Sequence, residues 1–340
     1  EEVLRLLNLQ VKKEEADIQI EKENLERERT FHIREMKRAE SEESSRYKNH
    51  EILNKRYLPL SLLGKGGNGE VWKSYDLDEN RYVAIKIHHV NKEWSETYRV
   101  NYVKHAFREK KIHQTLNHER IVQFLDVFTI DNNSFATVME CCTDIDLDFY
   151  LKQKRQISEK EARNVIMQIT SALMYLSERK IIHYDLKPAN ILLEHGTTNG
   201  AIKVTDFGLS KEMENSDDVD SMELTSQGAG TLWYLPPETF VVGTPKISPK
   251  VDVWSLGVIL YQCIYGKKPF GDGQTQQKIM QEKIIMKATE VHFPIKPSIS
   301  PACQSFIRRC LQYHKDDRAD IFELAEHEFL KFGSRSEKVL

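Results

Sequence analysis

Hydrophobic and polar positions follow two different periods along the chain, and the change falls near residue 50. Before it, apolar residues recur at helical spacing among Glu, Lys and Arg, with neither Gly nor Pro in residues 1–46. After it, short runs of β-branched and aromatic residues are separated by turn residues. The pattern predicts a long charged helix over 1–46, a linker over 47–56, a folded domain over 57–330 and a tail over 331–340.

Five apolar residues of the predicted helix follow a coiled-coil seam with spacings of 3, 4, 7 and 7: Leu4, Leu7, Val11, Ile18 and Leu25. The alternate seam positions become Glu14, Glu21 and Glu28, which would repel one another across a parallel dimer. Two interpretations stay open. The segment is either the end of a coiled coil that makes the protein a homo-oligomer, or a solvated charged helix that packs on its own domain or is partly frayed.

The folded domain is predicted to be α+β, with strands first and helices after them. The predicted strands are Tyr57–Leu63, Glu70–Leu77, Arg81–His88, Ile121–Phe128 and Ser134–Glu140, with a helix over 98–116. Later helices are predicted over 146–154, 158–178, 249–265 and 274–289, and again after 301. This order predicts two lobes, a sheet lobe over 57–140 and a helical lobe over 143–330.

Composition excludes several classes of function. The net charge is −3, so no overall basic character points to direct nucleic-acid binding. The five cysteines form no CxxC pair, which argues against a zinc site and favours a reduced, intracellular compartment. No run of 18 apolar residues is present, so no membrane span is expected.

A glycine-rich segment lies between the first two predicted strands. Gly64, Gly66, Gly69 and Val71 fit the pattern G-x-G-x-x-G-x-V. Glycines allow a backbone to approach phosphates closely. A dinucleotide site would need a helix directly after the glycines, whereas a strand is predicted here. The segment therefore predicts a hairpin that covers phosphates.

The next predicted strand carries Lys86 directly after the apolar residues Val83, Ala84 and Ile85. A lysine on such a strand is costly unless its charge is paired. Nucleotide phosphates and Glu109, from the predicted helix over 98–116, would pair it. The alternative is an ordinary surface lysine.

The strongest chemical signal is the block Ile182–Asn190, followed by Val204–Gly208. Phosphoryl transfer needs positioning and charge neutralisation more than covalent help. Asp185 would accept or orient a hydroxyl proton, and Lys187 would steady the transferred phosphate. Asn190 and Asp206 carry the oxygen ligands that Mg²⁺ prefers. The alternative role of these residues, capping of turns, does not explain their joint order.

Taken in order, these motifs resemble those of the protein kinase family over about residues 57–329. The resemblance implies that ATP and Mg²⁺ are the cofactors. It also implies an adenine site formed by a gatekeeper (Met139), two hinge residues (Glu140 and Cys142), a ribose contact (Asp146) and four apolar residues (Leu63, Val71, Ala84 and Leu192). A structural ion pair is implied between Glu238 and Arg318.

Substrate class also follows from the resemblance. Lys187 stands where tyrosine kinases usually have Ala or Arg, and Thr231 matches a threonine that serine/threonine kinases keep near the catalytic Asp. Tyr184 replaces the arginine that holds the activation-loop phosphate in many kinases, and tyrosine cannot form a bidentate pair with phosphate. We therefore expect that activity does not depend on one loop phosphate beside Asp185.

Several unusual strings resemble the Tousled-like kinases in particular: His183–Asp185, Leu147–Lys152, Leu224–Thr231, Trp233–Glu238 and Phe306–Leu311. This resemblance implies nuclear cell-cycle kinases that oligomerise through coiled coils. It implies histone H3–H4 chaperones of the anti-silencing type as substrates, in chromatin assembly. Two alternatives stay open. One is a pseudokinase, which would lack Lys86, Asp185, Asn190 or Asp206, and the other is an oligomerising scaffold.

Overall fold

The computed structural model describes residues 2–66, 69–142, 145–213, 222–223, 230–241, 243 and 246–331. The chain divides into two compact units. The first consists of Glu1–His89 with Thr129–Ala136, and the second of Val90–Phe128 with Thr137–Leu340.

The helices are α1 Glu2–Glu43, α2 Glu96–His113, α3 Leu147–Lys154, α4 Glu159–Glu178, α5 Lys250–Tyr265, α6 Gln276–Glu282, α7 Pro301–Cys310, α8 Ile321–Ala325 and α9 Glu328–Lys331. The strands are β1 Tyr57–Gly66, β2 Gly69–Asp76, β3 Arg81–His89, β4 Phe124–Asp131, β5 Ser134–Glu140, β6 Ile181–Ile182, β7 Ile191–Leu193, β8 Ile202–Val204, β9 Lys211–Glu212, β10 Met222–Glu223 and β11 Lys246–Ile247. Short 3₁₀ turns occupy Pro188–Asn190, Glu194–Gly196, Leu232–Tyr234, Pro237–Phe240 and Ile285–Lys287.

The first five strands form one sheet in the order β1-β2-β3-β5-β4, so β1 is an edge strand. In β2, alternate residues are buried, beginning with Glu70 and Trp72. This period of two follows from the pleat, which sends successive side chains to opposite faces. The pairs β1–β2 and β2–β3 are antiparallel, and β1 has two irregularities, between Pro59 and Ser61 and between Leu62 and Gly64.

The core of the second unit is built around α5. Fourteen of its sixteen residues are buried, and Trp254 is fully enclosed. A helix that is apolar on all sides has to be surrounded by protein. Contact with α7 is so close that a Cβ at Gly257 would lie 2.5 Å from that of Cys310. Helix α4 also packs against α5, and its start is fixed by a capping box between Ser158 and Glu161.

The predicted α+β arrangement, with an antiparallel sheet, a helical remainder and a long N-terminal helix, is confirmed. Some boundaries differ from the prediction for local reasons. Helix α2 begins at Glu96 because the Ser95 side chain accepts a hydrogen bond from the Tyr98 amide. The helix predicted over 274–289 ends at Glu282 because Lys283 adopts a left-handed conformation.

Residues 47–56, predicted to form a linker, include two buried side chains. Tyr47 is 5% exposed and Leu53 is 7% exposed. Arg56 forms a bidentate ion pair with buried Asp76 at the end of β2, with both N–O distances 2.7 Å. The Arg56 guanidinium lowers the pKa of Asp76. This segment is therefore a packed part of the first unit.

Within the described part of the chain, no helix combines the length and the hydrophobicity needed to cross a membrane. Helix α1, the longest, has no buried residue.

Candidate active site

The glycine-rich hairpin consists of β1 and β2 of the first unit. Gly66 and Gly69 form the last residue pair of the ladder. A Cβ at Gly69 would collide with the carbonyl oxygen of Ile87, so the packing of β2 against β3 requires glycine there. A Cβ at Gly64 would meet no described atom within 4 Å, so packing within the described chain does not explain this glycine.

Lys86 lies on one face of the same sheet, in the middle of β3. It pairs with Val71, and Ala84 lies two residues earlier on the same face. Lys86 is half-buried and Ala84 is buried. Leu63, between Leu62 and Gly64 in β1, falls at the second irregularity of that strand. The first unit thus contains the lysine, three of the predicted adenine contacts and the glycine hairpin.

Asp185 is the centre of a dense hydrogen-bond network in the second unit. Its Oδ2 lies 2.6 Å from Lys187 Nζ and accepts from Asn190 Nδ2 at 3.3 Å. Its Oδ1 accepts from the Thr231 hydroxyl at 2.9 Å and from the Thr231 amide at 3.2 Å. Lys187 Nζ also donates to Thr231 Oγ1 at 3.0 Å. Both carboxylate oxygens are therefore held, as a positioned acceptor requires.

The backbone before Asp185 is held by a buried carboxylate. Asp252 accepts from the amides of His183 and Tyr184, at 2.7 and 2.9 Å. Burial raises the pKa of Asp252, while these amide donors act to lower it. Tyr184 has φ +69°, a left-handed conformation that is costly for a tyrosine. The two hydrogen bonds that these backbone amides donate to Asp252 provide interactions that offset this cost.

Asp206, Phe207 and Gly208 contact both the segment Ile182–Asn190 and helix α2. Asp206 also has a left-handed backbone, with φ +66°. Phe207 is 1% exposed, with the rings of His113 and His183 each 5.1 Å away. A Cβ at Gly208 would lie 3.3 Å from Asp206 Oδ1 and 3.5 Å from Glu109 Oε2. The carboxylates of Asp206 and Glu109 thus approach the same glycine.

The predicted metal ligands are one amide and one carboxylate. Asn190 uses its Nδ2 to donate to the Asp185 carbonyl at 2.9 Å. Its Oδ1 is therefore the side-chain atom that can ligate a metal. The Thr205 amide donates to the Asn190 carbonyl at 3.0 Å and so ties Asp206 to the same loop. No group of three or more His, Cys, Asp or Glu suited to a metal occurs among the described residues. The donor set fits Mg²⁺, which takes few protein ligands and completes its shell with phosphates and water.

The predicted hinge lies at the end of β5. Met139 is buried. Glu140 accepts from both Lys203 Nζ, at 2.8 and 2.9 Å, and the Gln123 amide, at 2.7 Å. These bonds engage its side chain, and its backbone N–H donates to the Gln123 carbonyl at 3.0 Å. Burial raises the pKa of the Cys142 thiol to about 12.

Asp146 and Leu192 form an isolated β-bridge with each other. Asp146 is also the N-cap of α3, with Oδ1 accepting from the Phe149 amide at 2.7 Å. Its predicted ribose contact therefore has to share a carboxylate that already has a structural role.

Tyr184, which stands where many kinases have an arginine that binds the activation-loop phosphate, does not extend into solvent. Its ring is 1% exposed, and Lys211 Nζ lies 4.7 Å from the ring centre. Among the described residues, neither the Tyr184 hydroxyl nor Lys211 Nζ has a hydrogen-bond partner. Burial, and then Arg108, lower the pKa of Lys211 to about 8. The four serines and threonines of the loop that the sequence offers as autophosphorylation sites, Ser216, Ser221, Thr225 and Ser226, lie outside the described residues. Independence from loop phosphorylation therefore stays a prediction.

Sequence reasoning assigned no role to Asp252 or Lys203. Asp252 could have been found, because it stands between Val251 and Val253 in an otherwise apolar helix, where a charge needs a partner. Lys203 gave no such signal. Its partner Glu140 lies 63 residues away.

Comparisons with known proteins agree with this geometry. A family model described as "Protein kinase domain" matches residues 57–330. The chain is 63% identical over 335 residues to Serine/threonine-protein kinase tousled-like 1 of Caenorhabditis elegans, covering 97% of this chain and 35% of the relative. It is 60% identical over 331 residues to Serine/threonine-protein kinase tousled-like 2 of Homo sapiens, covering 96% and 43%.

A more distant relative, Serine/threonine-protein kinase TOUSLED of Arabidopsis thaliana, is 48% identical over 339 residues, which cover 98% of this chain and 49% of the relative. The chain thus spans less than half the length of each of these three relatives.

Proposed function

Because the chain belongs to the protein kinase family and is similar over nearly its whole length to Tousled-like members of it, we propose that it transfers the γ-phosphate of ATP to serine and threonine hydroxyls of proteins. The observation that carries this proposal is the network around Asp185. Lys187, Asn190 and Thr231 hold both of its carboxylate oxygens. An isolated turn residue would need no such set of partners.

Each residue has a proposed role. Asp185 orients the substrate hydroxyl and takes its proton. Lys187 neutralises charge on the transferred phosphate, and Asn190 and Asp206 hold Mg²⁺. Lys86 and the glycine hairpin bind the nucleotide phosphates. When bound, ATP supplies the phosphoryl group and Mg²⁺ neutralises its negative charge.

The adenine site is proposed to consist of the hinge backbone at Glu140 and Cys142 with Met139, Leu63, Val71, Ala84 and Leu192 around the ring. Asp146 is proposed for the ribose. A pseudokinase is disfavoured because Lys86, Asp185, Asn190 and Asp206 are all present.

Transfer to protein is the direct test of this function. The purified chain with Mg²⁺ and radiolabelled ATP should label a generic acceptor protein, with phosphoserine and phosphothreonine but little phosphotyrosine after acid hydrolysis. Omission of Mg²⁺ is the control. Binding of nucleotide without transfer to any acceptor would instead identify a pseudokinase.

By similarity to the Tousled-like relatives, we propose that the substrates are histone chaperones and that the protein acts in the nucleus during chromatin assembly. The names of the relatives support only the kinase class. A phosphopeptide-library assay on the purified chain would define the sequence preference around the acceptor residue.

Helix α1 supports a second, concurrent role in homo-oligomerisation. Along it, the seam residues Leu4, Leu7, Val11, Ile18 and Leu25 are each at least 50% exposed. An apolar stripe that is exposed on a long helix favours pairing with another helix.

Replacing Leu4, Leu7 and Val11 by Gln in the whole chain is expected to shift it from oligomer to monomer in light scattering. The loss of three apolar contacts per helix weakens the seam without touching the folded domain. A matched variant with Gln at Leu6 and Leu9, which lie outside the seam, is the control. An unchanged oligomer, or a wild type that is already monomeric, would contradict the role.

A further inference from the structure

The C-terminal end of α1 and the residues that follow it cover the edge of the sheet at β1. We call residues 42–50 the N-terminal clamp. Tyr47, within it, is 5% exposed, and its ring lies 6.5 Å from the Trp72 ring and 6.0 Å from that of His89. Arg46 forms an ion pair of 2.6 Å with Asp131. The clamp therefore contacts the sheet from β1 at one edge to Asp131 at the end of β4.

The clamp satisfies backbone groups at both irregularities of β1. Glu42 Oε2 accepts from the Leu62 amide at 2.9 Å, beside the irregularity that precedes Gly64. His50 Nδ1 donates to the Pro59 carbonyl at 2.9 Å, beside the other one. Backbone groups freed from a ladder need partners of this kind. The path of β1 into the glycine hairpin thus depends on side chains from the clamp.

A second contact holds β2, just after the last glycine. Glu70 is 4% exposed, and its Oε2 accepts from Ser45 Oγ at 2.6 Å and from Trp72 Nε1 at 3.0 Å. Lys65, its partner across the hairpin, lies 3.1 Å from Oε1. Burial acts to raise the pKa of Glu70, but the Ser45, Trp72 and Lys65 hydrogen bonds outweigh it and the pKa lies below its ordinary value.

These contacts lie on the face of the sheet opposite to Lys86. Glu70 and Trp72 alternate with Val71 along β2, and Val71 pairs with Lys86. Successive side chains point to opposite faces. The clamp therefore influences the face that carries Lys86 only through the positions of β1 and β2.

We propose that the N-terminal clamp positions the glycine hairpin for ATP, so that Glu42 and Ser45 are positioning residues for nucleotide binding. This inference rests on the proposed function. Because Glu42 belongs to the end of α1, a change in the position of this helix would also change the affinity for nucleotide.

The test compares Glu42→Ala, Ser45→Ala and the double variant with the wild type. Each lost hydrogen bond is expected to raise KM for ATP about fivefold, while kcat at saturating ATP stays within about twofold. Glu42→Gln keeps an oxygen that can accept from the Leu62 amide, so it should restore KM to near the wild-type value. Glu40→Ala and Ser44→Ala, at exposed positions on either side of Glu42, are the matched controls.

Hydrogen exchange gives a readout that does not depend on catalysis. In the double variant, amides of Leu62–Gly66 and Gly69–Val71 should exchange faster than in the wild type, while those of α5 stay protected. An unchanged KM together with unchanged exchange in the hairpin would overturn the proposal. If the wild type transfers no phosphate, the proposed function fails, and faster hairpin exchange in the double variant would still support the clamp.

Discussion

An Asp185→Asn variant is expected to lose about 10²–10⁴-fold in kcat, the range for removal of a general base. Asparagine has the same shape as aspartate but offers one accepting atom instead of two. Its amide nitrogen would have to face either the Lys187 ammonium or the Thr231 amide, both of which donate to Asp185 now. Because nucleotide binding is assigned to other residues, KM for ATP should change by less than about threefold.

Steady-state kinetics with radiolabelled ATP measures this effect, and Thr231 provides a graded control. Thr231→Ser keeps the hydroxyl that donates to Asp185 and should stay close to the wild type. Thr231→Val removes it and should lower kcat about tenfold, as expected for one lost hydrogen bond to a charged group. If Asp185→Asn keeps more than a tenth of the wild-type kcat, Asp185 is not the base.

An Arg318→Met variant is expected to lose about 3–5 kcal/mol of unfolding free energy, the usual result of breaking a buried ion pair on one side. The Arg318 side chain is fully buried and binds Glu238 through two bonds of 2.7 and 3.1 Å. Its guanidinium also donates to the carbonyls of Gln312 and Lys250 and lies 5.0 Å from the Trp254 ring centre. Methionine would leave the carboxylate and both carbonyls without these donors.

Urea denaturation measures this loss. Lys278→Met is the matched control, because Lys278 and Glu282 form an exposed ion pair on one turn of α6. Such pairs contribute less than about 1 kcal/mol. A loss at Arg318 no larger than that at Lys278 would show that the buried pair is not needed for stability. The implied pairing of Glu238 with Arg318 was available from the resemblance, and the structure shows it.

The local pattern was sufficient to predict most of the fold. The observed bounds lie close to the predicted ones for strands β1, β2, β3 and β5 and helix α4. The sequences of these elements have a clear hydrophobic period or are bounded by turn and capping residues. Strand β4 begins at Phe124 instead of Ile121. Ile121 forms only an isolated bridge, with Val204, and that partner lies too far along the chain for a local pattern to reveal it.

In the site, too, the local sequence predicted some features and the contacts between distant residues remained hidden. The chemical type of Asp185, Lys187, Asn190 and Asp206 could be inferred from their order, and the structure brings Asp185, Lys187 and Asn190 into contact. The supporting groups could not be inferred. Ser45 and Glu70 lie 25 residues apart, and neither residue type signals that the two share a buried hydrogen bond. Tertiary contacts of this kind hold residues 42–50 against the sheet, and the local sequence pattern does not reveal them.

The covered edge of β1 has a practical consequence for recombinant work. The kinase family match begins at Tyr57, yet the donors and acceptors that complete β1 come from residues before it. A protein shortened to begin at Tyr57 would carry an open edge at which the Leu62 amide and the Pro59 carbonyl lose these partners. Such an edge is a template for strand addition by a neighbouring molecule. Aggregation of such a fragment would reflect where it was cut rather than an intrinsically poor fold.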